Sequence, residues 1–257
     1  MTGKSGPIKG KIAADHPLAA LIEEAYEVFA CPPPKETGVC VDCCMAPEIE
    51  ADFFGPPIRD LPLLYLQDWY TAAHAREGVP QSVWRYLLPR ILEVLAAGED
   101  PCALGREVVL VRFPTGEAAH WHPAEWSVLD RFRRAFLARE IAAPDPGSYL
   151  DDTICMFGRA AWPLEDLLSQ VMDAPDDLLA ARLWRDWCNC AFPSVWITAF
   201  WDRPERDRML AFYTSRALCT RMEAFALADD TMPALAEQAI DLSGVIRGQA
   251  GWHGPAS

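Results

Sequence analysis

The stretch Cys31-Pro-Pro-Pro-Lys-Glu-Thr-Gly-Val-Cys40-Val-Asp-Cys43-Cys44 holds four of the nine cysteines in the 257-residue chain. Its three consecutive prolines cannot sustain a helix, and its glycine suits a tight turn, so we expect a loop. Thiols packed this closely in a loop are typical of a metal site or of a disulfide cluster. The rest of the chain is predicted to be a helical body that carries this loop.

The N-terminal segment favours the metal site over disulfides. Residues 1–11 contain three lysines, but no apolar core follows them, as a secretory signal would require. We therefore expect a cytoplasmic protein, in whose reducing surroundings the cysteines are thiols or metal ligands. The glycine-rich segment 1–11 and the segment 248–257 are both predicted to be disordered tails.

The predicted metal ligands are Cys31, Cys40, Cys43 and Cys44. Cys40-x-x-Cys43 is the spacing at which two thiolates grip one ion from a tight turn. Because the side chains of adjacent cysteines diverge, a distant Cys or His is an alternative to Cys44 as the fourth ligand. Four thiolates suit a structural zinc ion, with an iron–sulfur cluster as the alternative.

The charge of the chain is one-sided, with 37 acidic residues against 23 basic ones and a net charge of −14. Nucleic acids and anionic lipids need Lys and Arg to neutralise phosphate, so neither is an expected partner. A basic protein partner would be attracted, although solubility alone is an equally good interpretation of the charge. No run of eighteen apolar residues is present, so no membrane span is expected.

A pairing of an apolar residue with proline recurs before patterns of helical periodicity. The instances are Leu61-Pro62, Val79-Pro80, Trp162-Pro163, Phe192-Pro193 and Met232-Pro233. Each proline fits the first turn of a helix, where its missing N–H is not needed. The predicted helices after the cysteine loop cover about 61–76, 80–97, 123–142, 149–158, 163–173, 176–190, 194–201, 204–228 and 232–246.

The fold class is therefore predicted to be all-α, with about nine helices in one domain over residues 12–247. The segments 162–188 and 192–218 align at an offset of about thirty residues, which is typical of a solenoid of helical hairpins. Irregular helical packing is the alternative. Residues 143–148 are the best candidate for an internal boundary. The β-branched run 107–113 is either a short strand or a helix buried on all sides.

Four other groups of residues are candidates for chemistry. His120 and His122 could share a face, but a loop leading into the next helix is the better interpretation. The pairs Asp151-Asp152 and Asp176-Asp177 open helices, where negative charge is favourable, so capping is favoured over catalysis. Buried thiols are expected for the cysteines outside the loop at 155, 188, 190 and 219.

Aromatic residues on the predicted helix 176–190 are candidates for a partner-binding surface. Trp184 and Trp187 are three residues apart and share a helix face, and Asp176 and Asp177 would supply an acidic rim. Core packing is the competing interpretation for the tryptophans.

The sequence contains no nucleotide-binding glycine motif, no nucleophile elbow and no His-Glu-x-x-His. Its predicted function is therefore non-catalytic binding of a basic protein partner, as an adaptor or a toxin-neutralising immunity protein, with a structural zinc site. The alternative is a metal-dependent or iron–sulfur redox enzyme centred on the cysteine loop. An enzyme is the less favoured of the two.

Overall fold

The structure, a computed structural model, describes residues 9–40 and 44–249. Within those ranges the regular elements are helices, and β-pairing is limited to one isolated bridge between Val39 and His74. The all-α prediction is confirmed. The α-helices are α1 (Ala19–Val28), α2 (Pro47–Asp52), α3 (Leu63–Thr71), α4 (Gln81–Ala96), α5 (Pro123–Ala142), α6 (Leu150–Arg159), α7 (Leu164–Met172), α8 (Asp176–Trp187), α9 (Arg203–Tyr213), α10 (Arg216–Ala226) and α11 (Pro233–Arg247).

The chain divides into two compact units. Unit 1 runs to residue 136 and includes 159–162, whereas unit 2 comprises 137–158 and the chain from 163 onward. The boundary expected at 143–148 lies inside unit 2. The expectation of a single domain stays a prediction, because two compact units can belong to one cooperatively folding domain.

The core of unit 1 is built around α4, which is buried on almost every side. Its Trp84 stacks on Trp69 of α3 with ring centroids 6.0 Å apart, and both rings are fully buried. The Trp84 Nε1 donates to Oγ1 of Thr115 at 2.8 Å, which satisfies the one polar atom of the indole. The helix continues through Pro89, although a proline inside a helix removes one backbone hydrogen bond and favours a kink or an interruption there.

A buried guanidinium in α4 fixes the start of the described chain. Arg90 is fully buried and donates to Oε2 of Glu93 at 2.9 Å and to the carbonyl of Gly10 at 2.7 Å. Tyr26 of α1 donates to the same Glu93 oxygen at 2.7 Å. Residues 9 and 10 are therefore anchored, although the sequence predicts a disordered tail through residue 11. The rest of that predicted tail lies outside the described residues, as does most of the tail 248–257.

The β-branched run 107–113 forms neither of the two expected structures. It continues a 3-10 turn (Arg106–Val108) into successive turns, with Val109 and Leu110 fully buried. Arg112 holds these turns in place by donating to the carbonyls of Tyr70 at 2.5 Å and Ala72 at 3.0 Å. The Arg112 side chain therefore ties these turns to the C-terminal end of α3.

In unit 2, α8 packs against α11, and α11 packs against α10. Arg182 of α8 is fully buried, pairs with Asp186 at 3.0 Å and donates to the carbonyls of Glu140 and Ser148, each at 2.6 Å. Burial raises the pKa of the Asp186 carboxyl, although Arg182 and the backbone N–H of Leu150 oppose that shift. This charged cluster ties α8 to the C-terminal part of α5 and to the loop after it.

Four of the predicted helices differ from the structure, and two of these only end early, at Thr71 instead of residue 76 and at Trp187 instead of residue 190. The segment 194–201 is irregular, so the helix predicted there is wrong. The helix predicted over 204–228 is two helices, α9 and α10, and Ser215 between them accepts from the N–H of Leu218 as the cap of α10. The thirty-residue repeat is not confirmed, because 162–188 holds the two helices α7 and α8, whereas 192–218 holds an irregular segment, α9 and only the first residues of α10.

Membrane insertion through a helix finds no support in the described part of the chain. None of its helices combines the length and the hydropathy that crossing a bilayer requires.

Candidate functional site

The cysteine loop is pinned to the end of α3. The Nε1 of Trp69 donates to the carbonyl of Thr37 at 2.9 Å, and the N–H of Cys40 donates to the carbonyl of Ala73 at 2.7 Å. Gly38 has a φ of 72° and sits so close to Pro80 that a Cβ would come within 2.8 Å of its ring. The loop therefore has a defined path up to Cys40, as the glycine in the sequence indicated.

Three of the four predicted metal ligands can be placed. Cys31, Cys40 and Cys44 are half-buried, whereas Cys43 lies outside the described residues. Over 9–40 and 44–249, no group of three or more Cys, His, Asp or Glu side chains converges as metal ligands do. Because the tightly spaced pair Cys40-x-x-Cys43 is only half described, the zinc site stays a prediction.

Five cysteines lie outside the loop. Cys102, Cys155 and Cys219 are buried, the last two as expected, whereas Cys188 is only half-buried. Cys190 is exposed, because α8 ends at Trp187 and the next residues form a bend rather than the predicted last turn of a helix. Burial, together with the neighbouring Asp241 and Cys190, raises the pKa of the Cys188 thiol to about 12. Cys188 is therefore a thiol, not a thiolate nucleophile, at neutral pH.

The histidine pair leads into α5 as expected. The imidazole of His120 pairs with Glu117 at 3.1 Å. Nδ1 of the His122 imidazole accepts from the N–H of Ala124 at 3.4 Å, and the backbone N–H of His122 donates to Oε2 of Glu125 at 2.9 Å. Trp121 between them is buried. The two imidazoles therefore take part in separate local contacts and do not frame a common site.

Asp151 and Asp152 are both buried at the start of α6, where the sequence indicated capping and solvation. Asp152 does cap, since its Oδ2 accepts from the N–H of Tyr149 at 3.0 Å. Asp151 instead accepts from the N–H of Thr198 at 2.8 Å and from Nε1 of Trp201 at 3.1 Å. The sequence pattern did not predict this role. The available signal was the position of Asp151 beside Leu150, one turn before Ile154 and Cys155, on the apolar face of the helix.

The other acidic pair, Asp176-Asp177, lies at a cleft of about 560 Å³ in unit 2. The start of α8, the end of α10 and the start of α11 surround this cleft. Its apolar lining comes from Phe225, Met232 and Leu235, and Asp230 adds a third carboxylate. We call this feature the acidic cleft. Its volume falls within the range of about 300–1,000 Å³ that is typical of ligand sites.

The three carboxylates of the acidic cleft differ in their partners. Asp176 pairs with Arg221 at 2.6 Å. Asp177 and Asp230 are exposed, and within the described residues neither makes a salt bridge or a side-chain hydrogen bond. Met232 is 63% exposed, so an apolar surface lies open beside the two carboxylates. The cleft thus presents uncompensated negative charge next to apolar contact area.

The two tryptophans proposed for partner binding lie in different surroundings. Trp187 is buried and packs edge-on against Tyr213 with ring centroids 4.9 Å apart, as the core interpretation expects. Trp184 is half-buried, and its Nε1 donates to Oδ2 of Asp241 at 2.9 Å. Neither indole lines the acidic cleft, so Asp176 and Asp177 are the predicted partner-binding residues that the structure brings to it.

Comparisons of the chain with known protein families, with curated proteins and with solved structures find no match in any of the three.

Proposed function

We propose that this protein binds a basic segment of another protein in the acidic cleft and has no catalytic role. The observation that carries the proposal is the pair of exposed carboxylates, Asp177 and Asp230, which have no cationic partner in the described structure and flank an apolar lining. Lysine or arginine side chains of a partner would supply the missing positive charge. Apolar side chains of the same segment would cover Phe225, Leu235 and Met232.

The charge of the whole chain supports the same kind of partner. A net charge of −14 raises the local concentration of a basic protein and speeds its encounter with the cleft. Neither histidine nor cysteine is part of the described lining of the cleft, and its candidate bases and nucleophiles are limited to the three aspartates and Thr231. An adaptor or a toxin-neutralising immunity protein in the cytoplasm fits this combination.

A structural zinc ion held by Cys31, Cys40, Cys43 and Cys44 is part of the proposal. The hydrogen bonds from Trp69 and to Ala73 already fix the path of the loop on one side of the cluster. An ion bound there would stabilise the fold beside residues 31–40, which form no regular helix or strand. It would act on stability rather than on the chemistry of the acidic cleft.

The test is titration of the purified protein with a fluorescent peptide of alternating lysine and leucine residues, followed by anisotropy. We expect saturable binding that weakens with added salt, because the carboxylates are exposed. The double variant Asp177→Asn/Asp230→Asn should weaken binding by about tenfold, since each exposed charge pair contributes up to about 1 kcal/mol.

The matched control is Glu77→Gln/Glu99→Gln, which changes the net charge equally at exposed positions in unit 1. This control should retain most of the affinity for the peptide. Equal loss in both double variants would attribute binding to net charge alone and would refute the cleft as the site. Equal affinity for a glutamate–leucine peptide would refute the preference for a basic partner.

A further inference from the structure

A second pocket in unit 2 lies where the chain runs from the irregular segment 195–201 into α9. Its volume is about 580 Å³, and its lining includes Trp196, Trp201 and Leu210. Arg203, Arg206 and Asp207 bring charged groups to the same space. We call this feature the indole–arginine pocket. None of its lining residues contributes to the acidic cleft.

A buried carboxylate fixes the irregular wall of this pocket. Asp151 is 2% exposed, and its Oδ2 accepts from the N–H of Thr198 and from Nε1 of Trp201 at 2.8 Å and 3.1 Å. Burying a carboxylate is costly unless hydrogen bonds compensate it, and a buried N–H is costly without an acceptor. The carboxylate and its two donors therefore stabilise one another in this buried position. The backbone of the segment and the orientation of one indole are therefore set by the same atom.

Two further contacts hold the aromatic rings of the pocket. Gly158 of α6 lies against Trp201, and a Cβ there would come within 2.6 Å of Cη2 of the indole. Trp196 stacks on Tyr149 with ring centroids 4.2 Å apart and an interplanar angle of 23°. Both indoles are thus positioned before any ligand arrives, which lowers the entropic cost of binding.

The arginines of the pocket differ from most arginines of unit 2. Arg182, Arg208 and Arg221 each pair with a carboxylate. Arg203 and Arg206 are exposed, and within the described residues their guanidinium groups make no salt bridge or hydrogen bond. The chain as a whole has a net charge of −14, so most of its guanidinium groups have carboxylates available to them. These two have none bound and lie beside fixed indoles, and they are therefore well suited to bind an anion.

We propose that the indole–arginine pocket binds a planar aromatic ligand that carries an anionic group. The ring of the ligand packs against the indole wall, and its carboxylate or phosphate pairs with Arg203 and Arg206. Asp207 accepts from an N–H or O–H of the same ligand, because an anion without such a donor would meet a repelling carboxylate here. Asp202 and Glu205, which flank the arginines in sequence, further disfavour a ligand that is only an anion.

Isothermal titration calorimetry with two probes tests the proposal and separates the sources of the anionic group. The probes are adenosine 5′-monophosphate for a phosphate and indole-3-acetate for a carboxylate, with adenosine and 3-methylindole as neutral counterparts. At least one anionic probe should bind saturably with a Kd of about 1 mM or below and about tenfold more tightly than its neutral counterpart. Which probe binds identifies the anionic group.

The variants assign the binding to this pocket. Arg203→Gln/Arg206→Gln should reduce the affinity for the anionic probe by about tenfold or more, to the level of the neutral counterpart. Trp196→Ala should weaken the anionic and the neutral probe alike. The double arginine variant changes exposed side chains, so its unfolding midpoint should change little, whereas Trp196→Ala also removes the stacking on Tyr149 and should lower the midpoint. Arg216→Gln, at an exposed position at the start of α10, is the matched control and should leave the affinity unchanged.

Three outcomes would overturn the proposal. The first is the absence of saturable binding of either anionic probe. The second is equal affinity for the charged and the neutral probes, which would mean that the arginines contribute nothing. The third is an equal loss of affinity in the double arginine variant and in Arg216→Gln, which would indicate non-specific attraction of the anion. None of these outcomes bears on the acidic cleft, so the two proposals stand or fall separately.

Discussion

Arg221 of α10 donates from Nε to Oδ1 of Asp176 at 2.6 Å, and the same guanidinium binds the carbonyls of Met172 and Ala174. One arginine thereby caps the C-terminal end of α7 and links it to the first turn of α8. Asp176 and its neighbour Asp177 look equivalent in the sequence, but only Asp176 has this structural partner. The structure therefore assigns Asp176 to stability and leaves Asp177 available to a ligand of the acidic cleft.

Asparagine substitutions at these two positions should separate the two roles. Asp176→Asn should lower the free energy of unfolding by about 0.5–1 kcal/mol, because the ion pair is partly exposed and therefore screened. Asp177→Asn should leave stability within about 0.5 kcal/mol of the parent, as is typical of surface changes. Urea denaturation followed by fluorescence measures both. Equal destabilisation by the two substitutions would contradict the assignment.

Removing the Asp151 carboxylate should have a larger effect. Asp151→Ala leaves the N–H of Thr198 and the indole N–H of Trp201 without their acceptor in a buried site. A loss of about 2–3 kcal/mol of unfolding free energy is expected, together with faster proteolysis within 194–201. Glu237→Ala, at an exposed position of α11, is the control and should leave both measurements unchanged. Unchanged proteolysis in Asp151→Ala would show that the segment is held by other contacts.

Arg112 in unit 1 provides a test of geometry rather than charge. Its guanidinium lies 4.6 Å from the centroid of the Trp69 ring while it donates to two backbone carbonyls, and burial lowers its pKa. Arg112→Lys keeps the charge but loses the planar fork and the stacked face. We expect about 2 kcal/mol of destabilisation in thermal or urea unfolding. Arg76→Lys, which is exposed, should be neutral, and a neutral Arg112→Lys would mean that a point charge suffices.

Most helix positions were predictable where apolar periodicity follows a proline. The bounds predicted for α5 match the structure, and Pro163 and Pro175 directly precede α7 and α8. The same rule failed after Phe192-Pro193, because Thr198 and Trp201 bind a carboxylate more than forty residues earlier in the chain. Local sequence carries no signal of such a long-range partner. The β-branched residues of that segment already weakened its helix propensity.

The candidate site was predictable only in part, for a related reason. The sequence indicated an acidic surface at Asp176 and Asp177, and both line the acidic cleft. Asp230 and Met232 complete that cleft from a distant part of the chain, and Arg221 neutralises one of the two predicted carboxylates. Which carboxylates remain available depends on packing of α8 against α10 and α11, which periodicity does not encode.

Alkaline pH should destabilise the protein through its buried tyrosines. Burial raises the pKa of Tyr26, Tyr70 and Tyr213, with Glu93 adding to the effect at Tyr26. Their folded-state pKa exceeds the unfolded value, so their contribution to stability is complete below about pH 10. It is lost as the pH rises further, because the unfolded chain then releases protons that the folded state retains. Within that window, each buried tyrosine lowers the free energy of unfolding by about 1.4 kcal/mol per pH unit.

Urea midpoints between pH 8 and pH 11, with tyrosinate absorbance as a second signal, measure this effect. Tyr26→Phe should make the fall in stability above pH 10 less steep. Tyr149→Phe, at an exposed position, is the matched control and should retain the steepness of the parent. If tyrosinate forms fully while the protein is still folded, the buried phenols do not resist ionisation and the prediction fails.

The last prediction concerns the cysteine loop. Its four thiols should bind one zinc ion, because hydrogen bonds already hold the backbone of the loop in place. Elemental analysis of the purified protein should find about one zinc per chain, and the protein should be colourless. Cys40→Ser should lose the metal and lower the unfolding midpoint, whereas Cys190→Ser, an exposed cysteine outside the loop, should retain both. A brown protein that contains iron would favour an iron–sulfur cluster. Metal-free protein with unchanged stability in Cys40→Ser would mean that the thiols serve no ion, and that the contacts to Trp69 and Ala73 hold the loop without one.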